Sequence, residues 1–374
     1  AMYKKLHLLL FLALLLSLPS AAQADPDLPA GSPTPAGWII ERVDAPPLYT
    51  DLTSSMFQFA DDTAYIAFGG DHLYYAFESG FSWSIEIVDP AMGVGRHASL
   101  ALRSTDNAAM ISYYDATNRT LKFAKQLFSA PGVYTWQISL LDTGADGCTS
   151  IDLDSDNNPG IAYQKNENLY YKKYTCSGMT CMWSSAVRVD SALDTGQDCH
   201  LVFDSNDRPH IAYSDEDNDD LKYAFYNGTS WSLQTADTSY QTGLSLAVDS
   251  SNRPHIAYSG SGYSLYYAYL DRGTWELTEV DDEPTLVTSI SLYEDRWDSP
   301  HIAYNNSGGA KYARIDEMNA NCTADEWACD ITNGTDFPVY IYLHLIDANA
   351  GASARLVYLV RYDRQIEYVD VTDG

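Results

Sequence analysis

The sequence predicts an all-β fold, a seven-bladed β-propeller with four-stranded antiparallel blades. Two recurring strand motifs and the one-step offset between them carry that expectation. The first motif ends in an aromatic residue and reads YIAF from Tyr65, MISY from Met110, GIAY from Gly160, HIAY from His210, His255 and His301, and RLVY from Arg355. Its second residue falls at Ile66, Ile111, Ile161, Ile211, Ile256, Ile302 and Leu356, with spacings of 45, 50, 50, 45, 46 and 54 residues. A strand-rich unit that recurs every 40 to 50 residues or so is the signature of propeller blades. The second motif is a Trp-led strand beginning at Trp38, Trp83, Trp136, Trp183, Trp231, Trp275 and Trp327. Trp38 precedes every tyrosine motif, and no Trp strand follows the last one. The simplest account is a closed ring in which the strand from Trp38 completes the C-terminal blade, because an open row leaves two sheet faces uncovered. The structural alternative is a six-bladed ring with roughly the last sixty residues as a separate cap.

Each blade reads as four strands. The innermost is a short run such as LAL from Leu100, IDL from Ile151, LVF from Leu201 or LAV from Leu246. A turn follows in which Asp154, Asp204, Asp249 or Asp295 lies seven residues before the central Ile, so the hairpin has fixed length. Its Asp and Asn side chains accept local turn hydrogen bonds, and its Pro sits where no ladder donor is needed. In strand two the Ile and Tyr point one way. The intervening Ala67, Ser112, Ala162, Ala212, Ala257 or Ala303 points the other way and is small enough for neighbouring blades to approach. Strand three reads LYYA from Leu73, LKFA from Leu121, LYYK from Leu169, LKYA from Leu221, LYYA from Leu265, AKYA from Ala310 and IEYV from Ile366. The Trp strand is outermost. Most of the 29 Tyr and 8 Trp are therefore expected in the core.

Residues 1–24 read as an export signal: Lys4 and Lys5, the apolar stretch from Leu8 to Leu18, and the small-residue site Ala22, Gln23, Ala24. Residues 25–37 form a Pro- and Ala-rich lead, and 38–374 a single propeller domain. No membrane span is expected after cleavage, and the address is secreted or periplasmic. Six cysteines agree with an oxidising compartment. Three local pairings suggest themselves: Cys176 with Cys181, Cys322 with Cys329, and Cys148 with Cys199 across adjacent inner strands. Fifteen connectivities are formally open to six cysteines. The net charge of −29 argues against nucleic acid, anionic lipid and acidic polysaccharide partners. The chain is expected to act as a monomer.

Candidate site residues gather on the face that carries the hairpins between strands two and three and the blade-to-blade connections. They are Arg96 and His97 near the axis, then Tyr114, Asp115, Tyr263, Asn305 and Asn306, with Asp215 and Asp217 from the acidic run 215–220. Aromatic rings beside amides and carboxylates suit sugars, since rings stack on apolar sugar faces and polar groups take the hydroxyls. Equally, such residues line any propeller rim, and charge runs are mostly solvated loops. Asp154, Asp156 and Asn158 alternate as Ca²⁺ ligands do, but the distal acid that closes such loops is missing and turn chemistry alone accounts for them. His210, His255 and His301 recur about a blade apart, which favours a structural role. Asn118, Asn227, Asn305, Asn321 and Asn333 match the N-x-S/T acceptor pattern, whose use a bacterial type of export signal argues against.

The repeat DS-x-x-x-P-H-I-A-Y, followed by L-x-Y-A and a Trp strand, resembles exported bacterial β-propeller repeat proteins of the broad sialidase-like group, from Trp38 to about Val371. That resemblance implies architecture, and related propellers include lectins, polysaccharide lyases and glycosidases. The Asp-box S-x-D-x-G-x-T-W of sialidases is absent, as are G-x-S-x-G, H-E-x-x-H and P-loop patterns. The expected function is a binding module that holds a glycan or an extracellular protein on one ring face. The alternative is a glycoside hydrolase or polysaccharide lyase using rim carboxylates such as Asp115, Asp215 and Asp217. Glycosidase chemistry needs two carboxyls roughly 5 to 10 Å apart in a common cleft.

Overall fold

A computed structural model describes residues 38–43, 54–60, 63–79, 82–130, 133–177, 180–282, 287, 289–306, 309–333, 338–348, 351–360 and 365–371. The expected export signal and lead lie outside these residues. Six sheets repeat one antiparallel meander, each strand pairing with the next in the chain. The first runs through Ser54–Ala60, Thr63–Gly69, Leu73–Ser79 and Ser82–Asp89. The second comprises Val94–Leu102, Ala109–Asp115, Thr120–Ala130 and Val133–Thr143. The third has Ala145–Leu153, Pro159–Lys165, Asn168–Ser177 and a split outer strand, Thr180–Trp183 and Val187–Arg188. The fourth has Thr195–Phe203, Pro209–Asp215, Asp220–Tyr226 and Trp231–Asp237. The fifth has Thr242–Val248, Pro254–Ser259, Leu265–Asp271 and Thr274–Asp281, and the sixth Ile290–Glu294, Pro300–Asn306, Gly309–Ile315 and Trp327–Asn333. A further sheet has the order Trp38–Val43, Gln365–Val371, Gly351–Val360, Pro338–Ala348, with Trp38 opposite Val371. No α-helix occurs among the described residues, so none there is long and apolar enough to cross a membrane.

Four kinds of contact recur between successive sheets among the described residues, and each explains a recurring residue. The innermost strand is an edge, and its free N–H groups need acceptors. The N–H of Ile151, Leu201 and Leu292 donate to Ser99, Ser150 and Ser245 of the preceding inner strand, at 3.1, 2.9 and 2.9 Å. His200 takes the serine's place for Leu246, its Nδ1 accepting at 2.8 Å. Burial lowers the His200 pKa to about 4, so the ring is neutral and free to accept.

In the second layer, the Ala of one sheet packs under the Ile and Tyr of the next. Ala67 lies against Ile111 and Tyr113, Ala162 against Ile211 and Tyr213, Ala212 against Ile256 and Tyr258, and Ala257 against Ile302 and Tyr304. The hydroxyls of those tyrosines then reach back to the last Asp of the preceding Trp strand. The pairs are Tyr113 to Asp89 (2.8 Å), Tyr163 to Asp142 (2.5 Å), Tyr213 to Asp190 (2.7 Å), Tyr258 to Asp237 (2.6 Å) and Tyr304 to Asp281 (2.5 Å). Lys122, Lys165, Lys222 and Lys311 add an ammonium to Asp89, Asp142, Asp190 and Asp281 respectively.

Further out, a strand-three aromatic meets the next Trp edge to face. Tyr75–Trp136, Phe123–Trp183, Tyr171–Trp231, Tyr223–Trp275 and Tyr267–Trp327 have centroids 5.2–5.4 Å apart and interplanar angles of 62–76°. At the hairpins between strands one and two, a Ser clasps an Asx of the next turn through both N–H and hydroxyl. Ser104 holds Asn157, Ser155 holds Asp207, Ser205 holds Asn252 and Ser250 holds Asp298, at 2.7–3.0 Å. Each of those Asx residues has φ near +60°, a conformation that Asn and Asp tolerate better than most side chains.

The three recurring histidines are buried within this lattice. Nδ1 of His210, His255 and His301 accepts from Tyr223, Tyr267 and Tyr312 at 2.5 Å, while Nε2 lies 3.4, 3.4 and 3.5 Å from Asp204, Asp249 and Asp295 of the preceding turn. Gly160 stands at the same position because a Cβ there would come within 2.7 Å of Phe203 and 2.9 Å of Tyr171. All three expected disulfides form: Cys148–Cys199, Cys176–Cys181 and Cys322–Cys329.

Two stability predictions follow from these seams. Burial alone would raise Asp89, Asp142 and Asp190, but the lysines, tyrosines and backbone N–H groups facing them hold all three below the usual carboxylate range. Their contribution is present above the unfolded value of 3.8 and is lost as pH falls below it. Replacing Asp190 with Asn should therefore cost about 2 kcal/mol at neutral pH in denaturant unfolding, since the half-buried Lys222 ammonium loses its nearer carboxylate and keeps only Asp215. The deficit should shrink towards pH values below the carboxylate range.

Glu294 behaves in the opposite way. It occupies the position held by Leu102, Leu153, Phe203 and Val248 in other sheets, and neither carboxyl oxygen makes a hydrogen bond. His255 Nδ1, 3.2 Å away, is already taken by Tyr267. Burial, and then the charges of Asp249, Asp295 and Asp298, push Glu294 up to about 9. The folded state thus keeps a proton that the unfolded state releases, and stability falls as pH rises from 4.5 towards 9. Glu294→Leu should stabilise the protein by about 2 kcal/mol at neutral pH, with a gain that grows from acidic to mildly alkaline melts.

Candidate functional site

The hairpins between strands two and three and the connections between sheets share one face, and there a cleft of about 470 Å³ opens across the second, third and fourth sheets. Its lining is His97, Arg119, Asp146, Gly147, Gln164, Glu167, Asp194, Gln197 and Asp198. His97, Gly147 and Gln197 are equivalent, each 14 residues before the central Ile of its repeat. His97 alone of the three takes a left-handed backbone, φ +51°, at a bulge in its strand. Such a conformation costs roughly 1 kcal/mol for a residue with a side chain. Its carbonyl accepts the Thr149 hydroxyl at 2.9 Å, and burial lowers its pKa, leaving a neutral imidazole at the cleft wall. Gly147 is small because a Cβ would lie 2.2 Å from Gln164 Oε1; the amide of Gln164 reaches the Thr195 carbonyl at 3.5 Å.

Charge in the cleft is mostly negative. Arg119 donates to Asp146 Oδ2 at 2.8 Å, and the Glu167 N–H donates to the same oxygen at 3.3 Å. Asp198 Oδ2 accepts the buried Tyr240 hydroxyl at 2.5 Å and the Gly243 N–H at 3.1 Å. Asp194 is raised by burial and then by Asp217, Glu167 and Asp215. Glu216 is raised by burial and then by Asp198, Asp194 and Asp219.

Of the residues singled out in the sequence, His97 lines the cleft. Arg96 and Tyr114 pair across the second sheet beside it; burial raises the Tyr114 phenol, which also feels Arg119, Asp146 and Arg96. Asp217 is exposed and acts on Asp194 through its charge. Asp115 and Asp215 are buried and serve their own hairpins. Asp115 accepts the N–H and the Nδ2 of Asn118 at 2.9 Å, and Asp215 accepts Asn218 Nδ2 at 2.9 Å, with Lys122 and Lys222 behind them at 3.7 and 3.4 Å. Asn305 is buried, accepting the Ser289 N–H at 2.7 Å, and Tyr263 is an exposed hairpin residue of the fifth sheet. Neither lines the cleft.

Asp154, Asp156 and Asn158 lie on the opposite face. There Asp154 Oδ1 accepts the N–H of Asp156 and Asn158 at 3.1 and 2.7 Å, and Oδ2 faces the Lys173 ammonium at 2.7 Å. An ammonium on that oxygen and two turn N–H groups on the other suit a turn cap better than a cation shell. Among the described residues no group of three or more His, Cys, Asp or Glu is arranged to hold a metal ion.

The cleft residues Arg119, Asp146, Gln164, Glu167, Asp194, Gln197 and Asp198 went unread in the sequence, although the offset shared by His97, Gly147 and Gln197 marks the rim. The disulfide Cys148–Cys199 lies directly under this rim, joining strands whose preceding residues include Asp146 and Asp198, with Cα atoms 5.8 Å apart. The double variant Cys148→Ser, Cys199→Ser should lose about 3 kcal/mol in denaturant unfolding, and hydrogen exchange should rise first at residues 145–150 and 195–200.

No family model matches the chain, and no curated protein matches it. Solved structures do. The BP39L lectin from Burkholderia pseudomallei is 10% identical over 91% of this chain and 97% of that one, with a TM-score of 0.61. A variant of the Aleuria aurantia lectin in complex with Fucalpha1-6GlcNAc is 14% identical over 77% of this chain and 97% of that one, with a TM-score of 0.51. The polysaccharide lyase Uly1 is 11% identical over 86% of this chain and 90% of that one, with a TM-score of 0.54. At such identities the likeness speaks for the fold alone, an all-β propeller of four-stranded antiparallel sheets.

Proposed function

We propose that this chain is an exported carbohydrate-binding propeller, seven-bladed and closed by its N-terminal strand, that holds a glycan in the cleft between its second and fourth sheets. The cleft itself is the observation that carries the reading. Neutral imidazole and phenol rings, from His97 and Tyr114, stand beside amides of Gln164 and Gln197 and carboxylates that accept from sugar hydroxyls. The closed ring is supported by the pairing of Trp38 with Val371, and by contacts of the strand Pro338–Ala348 with both Ser54–Ala60 and Ile290–Glu294. Export is supported by the basic start, apolar stretch and small-residue site of residues 1–24, and by the three disulfides. That lectins and a polysaccharide lyase share the fold is compatible with the reading but does not select it.

A second reading, glycoside hydrolase or lyase, draws on four carboxylates sharing one cleft, of which Asp194 is raised by burial and then by the neighbouring Asp217, Glu167 and Asp215. It moves the enzymatic alternative away from Asp115 and Asp215, whose oxygens are occupied by their own hairpins.

A glycan array, run with and without calcium, tests the binding reading. His97→Ala and Gln197→Ala, the latter at an exposed residue of the cleft lining, should each weaken the captured glycan about tenfold, with unchanged melting. Silence of the whole array would sink it. Release of reducing ends or of unsaturated sugars from that glycan, abolished by Asp194→Asn, would establish the enzymatic reading instead.

A further inference from the structure

The hairpin between strand three and the outer strand of the fourth sheet holds a reactive arrangement that stands apart from the glycan reading. Its loop is Asn227, Gly228, Thr229 and Ser230, between the strands Asp220–Tyr226 and Trp231–Asp237, and all four residues are exposed. Asn227 Oδ1 accepts the N–H of Thr229 at 2.9 Å and of Ser230 at 3.0 Å, and the Asn227 N–H donates to the Ser230 carbonyl at 3.2 Å. The side-chain carbonyl thus sits on a pair of backbone donors, while Nδ2 makes no hydrogen bond among the described residues. Gly228 follows with φ +94°, and nothing lies within 4 Å of where a Cβ would stand. Its N–H makes no hydrogen bond among the described residues either.

No other asparagine with a described side chain combines these features. Asn157 and Asn252 also accept two hydrogen bonds at Oδ1, but a serine of the preceding sheet supplies them, and Asn158 or Arg253 comes next. Asn158 is followed by Pro159, whose nitrogen carries no hydrogen. Asn118 commits Nδ2 to Asp115 and is followed by Arg119. Asn333 also precedes a glycine, but its side chain lies outside the described residues.

We propose that Asn227 is a site of self-modification, where the chain converts this side-chain amide to a carboxyl through a cyclic imide. The Gly228 nitrogen gives its proton to hydroxide and attacks Asn227 Cγ. A C–N bond forms, and negative charge gathers on Oδ1, where the Thr229 and Ser230 N–H groups already point as the donors of an oxyanion hole do. The bond from Cγ to Nδ2 then breaks, and Nδ2 takes a proton from water and leaves as ammonia. Water opens the five-membered ring at either carbonyl, giving an aspartyl or an isoaspartyl residue. In net, one water is consumed, one ammonia is released and nothing is oxidised or reduced. Glycine suits the step because it adds no Cβ to crowd the ring and its backbone turns freely. The aspartyl product offers a carboxylate to the same two N–H groups, a stronger acceptor than the amide it replaces, so the hairpin keeps its shape. The isoaspartyl product instead lengthens the main chain of the loop by one carbon.

Peptide mapping by mass spectrometry, on the full folded protein aged at neutral and mildly alkaline pH, tests the proposal. The fragment holding Asn227 should gain the mass difference between an amide and an acid, faster at the higher pH and at least as fast as in a free peptide of the same sequence. Asn157, Asn158 and Asn252 should stay intact. Asn227→Gln should lose the signal, and so should Gly228→Ala, at a position with room for the added methyl group. Asn227→Asp should melt no lower than the parent protein at neutral pH. Conversion slower in the folded protein than in the peptide shows that the turn shields the amide, and overturns the proposal. An unchanged rate in Gly228→Ala overturns it as well, because the attacking nitrogen would then not be the one assigned.

Discussion

A buried or half-buried carboxylate at the end of five outer strands is the constraint on which the rest of this protein depends. Asp89, Asp142, Asp190, Asp237 and Asp281 each accept a tyrosine hydroxyl from the following sheet, and four of them also hold a lysine ammonium. Apolar packing between sheets is not directional, and a sheet sliding on its neighbour would lose little of it. A charged acceptor in a seam tolerates no such slip, because losing its donors leaves charge buried and unsatisfied. The Asp–Tyr link therefore sets the register between sheets. The small Ala of strand two then lets Ile and Tyr of the next sheet close the gap.

The two faces of the propeller are used differently as a result. On one, the hairpins between strands one and two interlock through Ser–Asx clasps, repeated from sheet to sheet with the same turn geometry. Their polar groups satisfy one another. On the other face the connections and hairpins differ from sheet to sheet, and the scaffold beneath is already held by the seams and by Cys148–Cys199. Polar groups there remain available, and the cleft with His97, Arg119, Gln164 and four carboxylates opens on that face. Loops placed on a rigid frame are where propellers and other repeat folds carry function.

Legibility followed repetition. The strand order, the fixed turn and the small residue of strand two could be read from spacing, because each is tied to the backbone period of its repeat; the three cysteine pairs were suggested by it among fifteen open connectivities. The structural role of His210, His255 and His301 was legible for the same reason. What escaped were contacts between residues far apart in sequence. The closing Asp of the Trp strand stood in the motif, yet nothing local pairs Asp190 with Tyr213 and Lys222; only sheet-on-sheet packing does. Asp115, Asp215 and Asn305 read as rim ligands because position in a hairpin does not say which way a carboxylate turns. In each case neighbouring N–H or amide groups draw the side chain inward.

By itself, then, the sequence determined a chain of four-stranded units whose alternating apolar and aromatic residues must be covered on both sides, since burial of that surface is the main driving force and its period is written in the residues. Only the tertiary structure decided which hairpins meet to make a cleft, and that Asp146, Glu167, Asp194 and Asp198 would share it with one cation. A site of this kind depends on distances between residues some fifty positions apart, which the twist and packing angle of neighbouring sheets establish and no local pattern encodes.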